Sequence, residues 1–408
     1  MTSNKIIEKL TTSTGHSWIR YLKLEDYQKD KYILTKLRER KDHFMITIYK
    51  KDRQKLDITI GDIIIFKLDN QELTRPIMKD FHISLPKNVL KDKTKGNKIK
   101  LAVLTIDKRK DCSKRPKNMI KNGKLDIRYF IPKKTIFGYP IYIIRRNTNH
   151  SSVWYSIGGG VRHINIKNFI DVDKIAELIG FYFGDGSTCR SIRSFRLTNS
   201  ESSVLNYCLD TLEEMDIRRN SFKIQIIYST NKELTKEIKN RCINFWSKML
   251  KIEKDKIVSV NKAENMRETL EYGSARIFID KTILVEIFLH GLLKGILRRI
   301  THPKSTIDKR LLKGFIRGLL AAEGNVNLNQ YGSVVKVGIA YDPRSNELRL
   351  YKRLLRNLNI NYGRTKGNEL YIYGYDNMKR LFDLNAFKMH KRRNQRFTKG
   401  FLKHKSNL

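Results

Sequence analysis

Cysteine is scarce in this chain and carries no pattern. The four residues Cys112, Cys189, Cys208 and Cys242 form no C-x-x-C pair and have no histidine at metal-binding spacing. That spacing argues against a disulfide framework and a structural zinc site, and a reducing compartment fits. Long apolar runs are missing too. No N-terminal stretch has the apolar core of a signal peptide, and no run of about 18 apolar residues occurs, so secretion and membrane spanning have no support. The expected location is the cytoplasm, in association with the nucleoid, or an organelle. Acid is the third shortage. Asp and Glu number 41 against 83 Lys and Arg, a net charge of +42 spread over the whole length. Such a field favours a polyanion, most simply nucleic acid.

What is present argues for folded domains. The apolar fraction is 40%, with 19 Tyr and 18 Phe, unlike a disordered basic coat. The 408 residues suffice for two or three domains. The run Gly158-Gly159-Gly160 is a turn and not a phosphate cradle, because no Gly-Lys-Ser/Thr follows it. Ile141-Tyr142 and Tyr155-Ser156-Ile157-Gly158 are superficially similar to a GIY-YIG nuclease. The displaced glycine and the absence of the catalytic domain that should follow set that reading aside.

Two stretches stand out as copies of one another. Leu178 to Gly186 reads LIGFYFGDG, and Ile316 to Gly324 reads IRGLLAAEG. Gly180, Gly184, Asp185 and Gly186 each stand 138 positions before Gly318, Ala322, Glu323 and Gly324. Agreement at four positions is a repeat signal. Small residues at i and i+4 share a helix face and let two backbones approach. A following glycine permits a left-handed cap. A carboxylate in the last turn sits at the negative end of the helix dipole, a cost that a nearby cation or a function would offset. Two such helices side by side bring two carboxylates together.

The surrounding pattern places these helices in order. Met45–Ile48 reads as a strand, Lys51–Leu56 as a short helix and Ile63–Phe66 as a second strand. Phe81–Leu90 followed by Ile99–Leu104 repeats that plan, and Asp126–Lys134 followed by Ile141–Ile144 is a looser third copy. The basic stretch Lys108–Lys124 between the last two reads as an exposed loop or linker. Asp173 is a candidate N-cap for the first motif helix and Asp308 for the second. Strands follow at Phe195–Asn199, Phe222–Tyr228 and Ala275–Ile279. Residues 233–260 read as one or two inserted helices. The second copy gives strands at Val334–Ala340 and Leu370–Tyr373, helices around Leu350–Leu358 and Asn377–Leu384, and a basic tail from Lys388 to Lys405.

The paired motifs resemble the LAGLIDADG homing endonucleases in their single-chain, two-repeat form, over roughly 173–400. The strand–turn–strand copies near the N-terminus resemble AbrB-like swapped-hairpin DNA-binding modules. A small basic β-rich domain of another kind is the alternative. The first resemblance implies an α+β fold. Two pseudo-symmetric αββαββα repeats would form a saddle of antiparallel sheets with the motif helices packed at the centre, beside a small β-rich N-terminal domain. The division would be 1–170 as the N-terminal region, 171–305 as the first repeat, and 306–408 as the second repeat with its basic tail.

The same resemblance implies site residues. Asp185 and Glu323 would bind Mg2+ (or Mn2+) and act in phosphodiester hydrolysis, with Gly180, Gly184, Gly318 and Ala322 as helix-packing positions. One basic residue per repeat would stand near the acids: Lys391 or Arg393 in the second, Lys223 or Lys294 in the first. Groove-facing readers would be Arg196, Lys223, Gln225 and Arg276, then Lys336, Tyr371 and Tyr373. Two departures stand out. Phe183 and Ala321 occupy the place of an earlier acid, and Glu323 replaces the commoner Asp. The expected activity is site-specific double-strand DNA cleavage by a monomer. The alternatives are a non-cleaving DNA-binding regulator, or a maturase bound to intron RNA. An intein is disfavoured, because the chain starts at Met1 and ends Ser406-Asn407-Leu408.

Overall fold

The computed structural model describes residues 5–11, 17–23, 32–40, 43–60, 62–68, 71–86, 98–107, 119–139, 141–145, 149–157, 160–186, 194–229, 233–263, 271–301, 308–364 and 367–405. The chain divides into two units. One comprises Met1–Lys114, Tyr142–Arg145 and Trp154–His163. The other comprises Arg115–Ile141, Arg146–Val153 and Ile164–Leu408.

The first unit opens with a hairpin of β1 (Lys5–Thr11) and β2 (Ser17–Lys23). Six strands follow: β3 (Tyr32–Glu39), β4 (His43–Thr47), then helix α1 (Lys50–Lys55), β5 (Ile63–Leu68), β6 (Gln71–Pro76), β7 (His82–Pro86) and β8 (Lys98–Asp107). They form one sheet in the order β6-β5-β8-β3-β4-β7. The two strand–turn–strand copies interleave, β4 pairing with β7 and β5 with β8. Alternating residues such as Ile33, Ile46, Ile64, Phe66, Ile83 and Leu101 are buried in one core. The segment 87–97 of the second copy lies outside the described residues.

The third copy is not a strand–turn–strand unit. β9 (Ile120–Lys121) and β10 (Lys124–Asp126) are short, and Ile127–Tyr129 is a 3-10 turn. The Asp126 carboxylate accepts from Arg128 N at 3.1 Å and pairs with Arg128 Nη2 at 2.6 Å, which turns the chain out of the extended state. The strands β11 (Tyr142–Arg145), β12 (His150–Ile157) and β13 (Gly160–Lys167) form a three-stranded sheet. β14 (Phe169–Asp171) pairs with β10 and leads into the first motif helix.

The first repeat runs α2 (Val172–Asp185), β15 (Phe195–Asn199), α3 (Ser202–Glu214), β16 (Lys223–Ser229), α4 (Lys236–Leu250), β17 (Ile257–Ala263) and β18 (Ser274–Ile279). A helical stretch closes it: α5 (Thr282–Val285), a π-wound segment Glu286–Leu293, and α6 (Lys294–Thr301). The second repeat runs α7 (Lys309–Glu323), β19 (Gly324–Leu328), β20 (Val334–Ala340), α8 (Glu347–Asn357), β21 (Gly363–Arg364), β22 (Glu369–Tyr373) and α9 (Tyr375–Asp383), with α10 (Lys391–Lys405) appended.

The αββαββα plan is complete in the second repeat, whose antiparallel sheet has the order β19-β20-β22-β21. The first repeat departs from it twice. Among the described residues, the strand after α2 is a single bridge, Gly186 to Leu197. The insertion, expected to hold one or two helices, holds one helix followed by a strand. Lys251 takes a left-handed conformation (φ 53°) that stops α4, and the β-branched Ile257, Val258 and Val260 then extend. β17 pairs parallel to β16, so this sheet, β15-β18-β16-β17, is mixed and not purely antiparallel. Without α4 and β17, the strand order matches that of the second sheet.

Two further local expectations are corrected. The N-cap of α2 is Asp171, whose carboxylate accepts from Asp173 N (2.9 Å) and Lys174 N (3.2 Å). Gly186 and Gly324 are extended (φ −92° and −75°), because the chain passes straight into sheet pairing; their Cβ positions would clash with Tyr182 O and Leu320 O. The basic tail, to which the sequence assigned no element, is largely helix α10. Phe397 and Phe401 are buried, Phe397 tilted against Phe387 (5.2 Å between centroids) and Phe401 stacked on Phe382 (4.7 Å). Among the described residues, no helix is long and apolar enough to cross a membrane.

Candidate nucleic-acid interface and acidic pair

The motif helices α2 and α7 pack backbone to backbone. A Cβ on Gly180 would run into Phe315 O, and one on Gly318 into Glu177 O. A Cβ on Gly184 would lie 2.5 Å from Ala322 Cβ, and one on Gly314 2.6 Å from Ala176 Cβ. The contact therefore spans three small-residue levels, Ala176/Gly314, Gly180/Gly318 and Gly184/Ala322. The first level escaped the sequence reading, although the repeat offset pairs Ala176 with Gly314 just as it pairs the others.

Charge fixes the partnership at the opposite end from the acids. Glu177 is fully buried, with Arg317 Nε at 2.5 Å, Lys388 Nζ at 2.7 Å and the Tyr207 hydroxyl donating to it. Asp173 pairs with Arg310 and, at 2.7 Å, with Arg317 Nη2. Acids on α2 thus meet bases on α7. A pair of identical helices would lose that complementarity.

At the other end Asp185 and Glu323 come together. The Cγ and Oε1 of Glu323 lie 3.0 and 3.1 Å from the position a Gly184 Cβ would take, so its side chain folds over the last turn of α2. Asn199 Nδ2 donates to Asp185 Oδ2 at 2.6 Å. Its Oδ1 accepts from Glu201 N at 2.8 Å, which fixes which end of the amide faces the acid. Burial pushes the Asp185 carboxyl up to about 6, against the pull of Asn199 and Arg393. Burial, then the charges of Asp185 and Glu347, push Glu323 up to about 7, with Arg393 opposing.

Of the four basic residues expected beside the acids, Arg393 is there. Its Nη1 donates to the last carbonyls of α7: Leu320 O (3.0 Å), Ala321 O (2.7 Å) and Ala322 O (3.1 Å). It is the cation at the negative end of that dipole. Lys391 is exposed two residues earlier, and its backbone N–H donates to Ser203 Oγ at 3.2 Å. Lys223 pairs with Asp280 at 3.3 Å. By register it stands level with Arg196, three residues along and two strands across from Asn199, or about 10 Å in each direction. Lys294 is exposed and its charge acts on Glu286.

Each four-stranded sheet has one buried and one open face. In the first, Phe195, Leu197, Ile224, Ile226, Ala275, Ile277 and Ile279 point inward, while Arg196, Lys223, Gln225 and Arg276 lie on the other face. Arg276 is held between Gln225 Oε1 (3.1 Å) and Thr198 Oγ1 (3.4 Å). In the second, Lys336, Tyr371 and Tyr373 share the open face, with Lys336 Nζ 3.8 Å from the Tyr371 ring centroid. Asn325 and Asn327 join them from β19. They escaped the sequence reading because β19 did. The alternation Asn-Val-Asn-Leu was the available signal.

The acidic pair suits a hard divalent cation. Two carboxylates raised by burial, Glu323 also by the charge of Asp185, would both be relieved by it, and Mg2+ is ordinarily held by one or two carboxylates plus phosphate and water. Among the described residues, no group of three or more His, Cys, Asp or Glu is placed to hold a metal ion.

No protein-family model matches the sequence, and no curated protein matches it. Among solved structures, the N-terminal LAGLIDADG domain of DUF199/WhiA is similar at 16% identity, over 53% of this chain and 82% of that one, with a TM-score of 0.30. Full-length DUF199/WhiA from Thermatoga maritima is similar at 15% identity, over 57% of this chain and 61% of that one, with a TM-score of 0.32.

Proposed function

We propose that this chain binds duplex DNA, with the open faces of its two four-stranded sheets directed to the major groove and α2 and α7 joining the two halves. The observation that carries the reading is the open face of the first sheet. Arg276 is pre-positioned by Gln225 and Thr198 there, with Arg196 and Lys223 beside it. Arginine can read guanine and glutamine adenine from that groove. The net charge of +42 supplies the phosphate attraction that any such complex needs. Binding selection from a randomised pool of DNA duplexes tests it. The reading requires a recovered consensus and an affinity that falls steeply with salt. Equal affinity for single strands, or no consensus, overturns it.

A second reading, metal-dependent cleavage of the bound duplex, is favoured by one observation: Asp185 and Glu323 meet at the ends of the packed helices. These two carboxylates would hold the cation. When bound, it supplies charge stabilisation at the phosphate and a more acidic water. Arg393 holds the end of α7 in place and opposes the mutual repulsion of the acids. Incubating the selected duplex with Mg2+ or Mn2+ separates the two readings. Cleavage abolished by Asp185→Asn establishes an endonuclease. An uncut duplex that is still bound establishes a non-cleaving DNA-binding regulator.

A further inference from the structure

The open faces of the two four-stranded sheets differ at one matching level, and the proposed function gives that difference no role. In each repeat the glycine after the acid pairs into its sheet, Gly186 with Leu197 and Gly324 with Ile339. Counted from those pairs, the next open-face level of the first sheet is Arg196–Phe278–Lys223, an aromatic between two bases. The same level of the second sheet is Gly338–Tyr371–Gly363, an aromatic between two glycines.

The glycines make room for rings to lie along the sheet. A Cβ on Gly338 would stand 2.9 Å from Tyr371 Cε1, and one on Gly363 2.8 Å from Tyr373 Cε1. Tyr371 therefore leans toward β20. Tyr373, the next residue of the same face of β22, leans toward β21. Together the rings cover three strands. Tyr373 stays 57% exposed. Beside it β20 bulges: Asn327 pairs with Lys336 and Leu328 with Val334, which leaves Val335 unpaired, turned outward and 48% exposed. The patch ends at Glu369, whose Oε2 lies 3.3 Å from the Gly338 Cβ position.

A sheet face turned to water ordinarily carries polar side chains, so an apolar patch here calls for a partner. Tyrosine suits a surface that is wet when free and covered when bound. In the major groove the base edges offer one apolar group, the C5 methyl of thymine. The polar neighbours agree with an A·T pair. Asn325 is exposed on β19 level with Gly338, and an asparagine amide can pair with adenine. Lys336 Nζ rests 3.8 Å from the centre of the Tyr371 ring, and a phosphate would draw it off and bare that ring.

We propose that Tyr371 and Tyr373 read thymine methyl groups, so that the half of the DNA site under the second sheet is fixed by thymines and the half under the first by hydrogen bonds from Arg276 and Gln225. The proposal rests on the DNA-binding reading and deepens it. The two halves of the recognised site then differ in kind, and the pseudo-symmetric protein binds its duplex in one direction only.

The test uses the full chain and the consensus duplex from the selection described above. Each thymine is replaced in turn by deoxyuridine, which removes the methyl and nothing else. Two replacements within one half of the site are expected to weaken wild-type binding by about fourfold each, the effect of burying one methyl group. Tyr373→Ala is expected to bind the thymine and deoxyuridine duplexes equally at one of these positions, and Tyr371→Ala at the other. Tyr373→Phe is expected to keep the preference, because the ring and not the hydroxyl makes the contact. Wild-type binding that is indifferent to every replacement overturns the proposal and leaves DNA binding intact; the rings are then only a cover for the glycines. That comparison needs no variant, so it holds even where a substitution disturbs the second sheet. A preference that survives in both alanine variants also overturns it. Failure of the wild type to bind any duplex overturns this proposal and the DNA-binding reading together.

Discussion

Gly184 and Ala322 meet where the two motif helices end, a Cβ on Gly184 falling 2.5 Å from Ala322 Cβ, and Glu323 folds over the same spot. The acids therefore stand together because the helices have no side chains between them. The positions one turn earlier are tighter still. In Gly180→Ala and Gly318→Ala the added methyl would enter the space of Phe315 O and Glu177 O, both backbone atoms that cannot swing aside. Each change is expected to cost about 1–3 kcal/mol or more, as overpacking does. Thermal denaturation measures it. A midpoint unchanged in both variants would show that the helices are not in backbone contact.

That contact was legible in the sequence, and the reasons show what was not. A repeat offset survives in sequence because close packing tolerates only the smallest residues, so Gly180 and Gly318 announce themselves. Strand order was partly legible, since Val334–Ala340 and Leu370–Tyr373 alternate cleanly. β19 was missed because it starts on the glycine that was read as a helix stop. The Asp126–Arg128 pair was invisible because a local ion pair, not periodicity, decides that the chain turns. Arg393 was nameable only as one of four candidates. Its place depends on α10 packing against α9 and the second sheet, which the contacts of Phe397 with Phe387 and of Phe401 with Phe382 hold and which a count of basic residues hides.

The acidic pair makes stability depend on pH in a definite direction. Burial raises the folded-state values of both acids, Asp185 from 3.8 to about 6 and Glu323 from 4.5 to about 7. A carboxyl raised on folding binds its proton more tightly when folded. Its favourable contribution is full below the unfolded value and is lost as pH rises through the folded one. Between about pH 4 and pH 7 the protein is therefore expected to lose stability. The loss is about 1–2 kcal/mol, less than the full shifts because water screens both groups. Asp185→Asn with Glu323→Gln should flatten that slope and raise the melting point above pH 7. A wild-type melting curve with the same pH slope as the double variant would remove the acids as its cause.

A divalent cation should act on the same slope. If Mg2+ binds between Asp185 and Glu323, it raises the melting temperature most above pH 7, where both carboxylates are ionised. Calorimetric titration of the wild type and of the neutral double variant gives the comparison. Equal heats of Mg2+ binding in the two proteins would place the cation elsewhere.

Arg276 and Lys336 should differ as DNA contacts. Arg276 is oriented by Gln225 and Thr198, whereas Lys336 lies 3.8 Å from the centre of the Tyr371 ring. A positioned guanidinium can make a bidentate contact to one base, and a lysine more often makes a point contact to phosphate. Arg276→Ala is expected to cost about 1–3 kcal/mol on the preferred sequence and to relax selectivity at one position. Lys336→Ala should weaken all duplexes alike and reduce the salt slope by about one. Binding isotherms on the selected duplex and its single-base variants decide. Uniform weakening by Arg276→Ala would assign it to phosphate.

Arg393 does two jobs that one substitution can separate. Its Nη1 satisfies the carbonyls of Ala321 and Ala322 at the end of α7 beside a carboxylate, and shares that of Leu320 with the Gly324 N–H. Its charge also draws both acids downward, against burial. Arg393→Ala should therefore destabilise the protein by about 1–2 kcal/mol and raise the titration points of Asp185 and Glu323 further. Arg393→Lys keeps the charge but not the planar fork, so it should restore the titration points more fully than the stability. Carboxyl-carbon NMR across the pH range reads the first effect, and thermal melting the second. If Arg393→Ala lowers the melting point while both acids titrate as in the wild type, the guanidinium is a helix cap alone and has no electrostatic part in the acidic site.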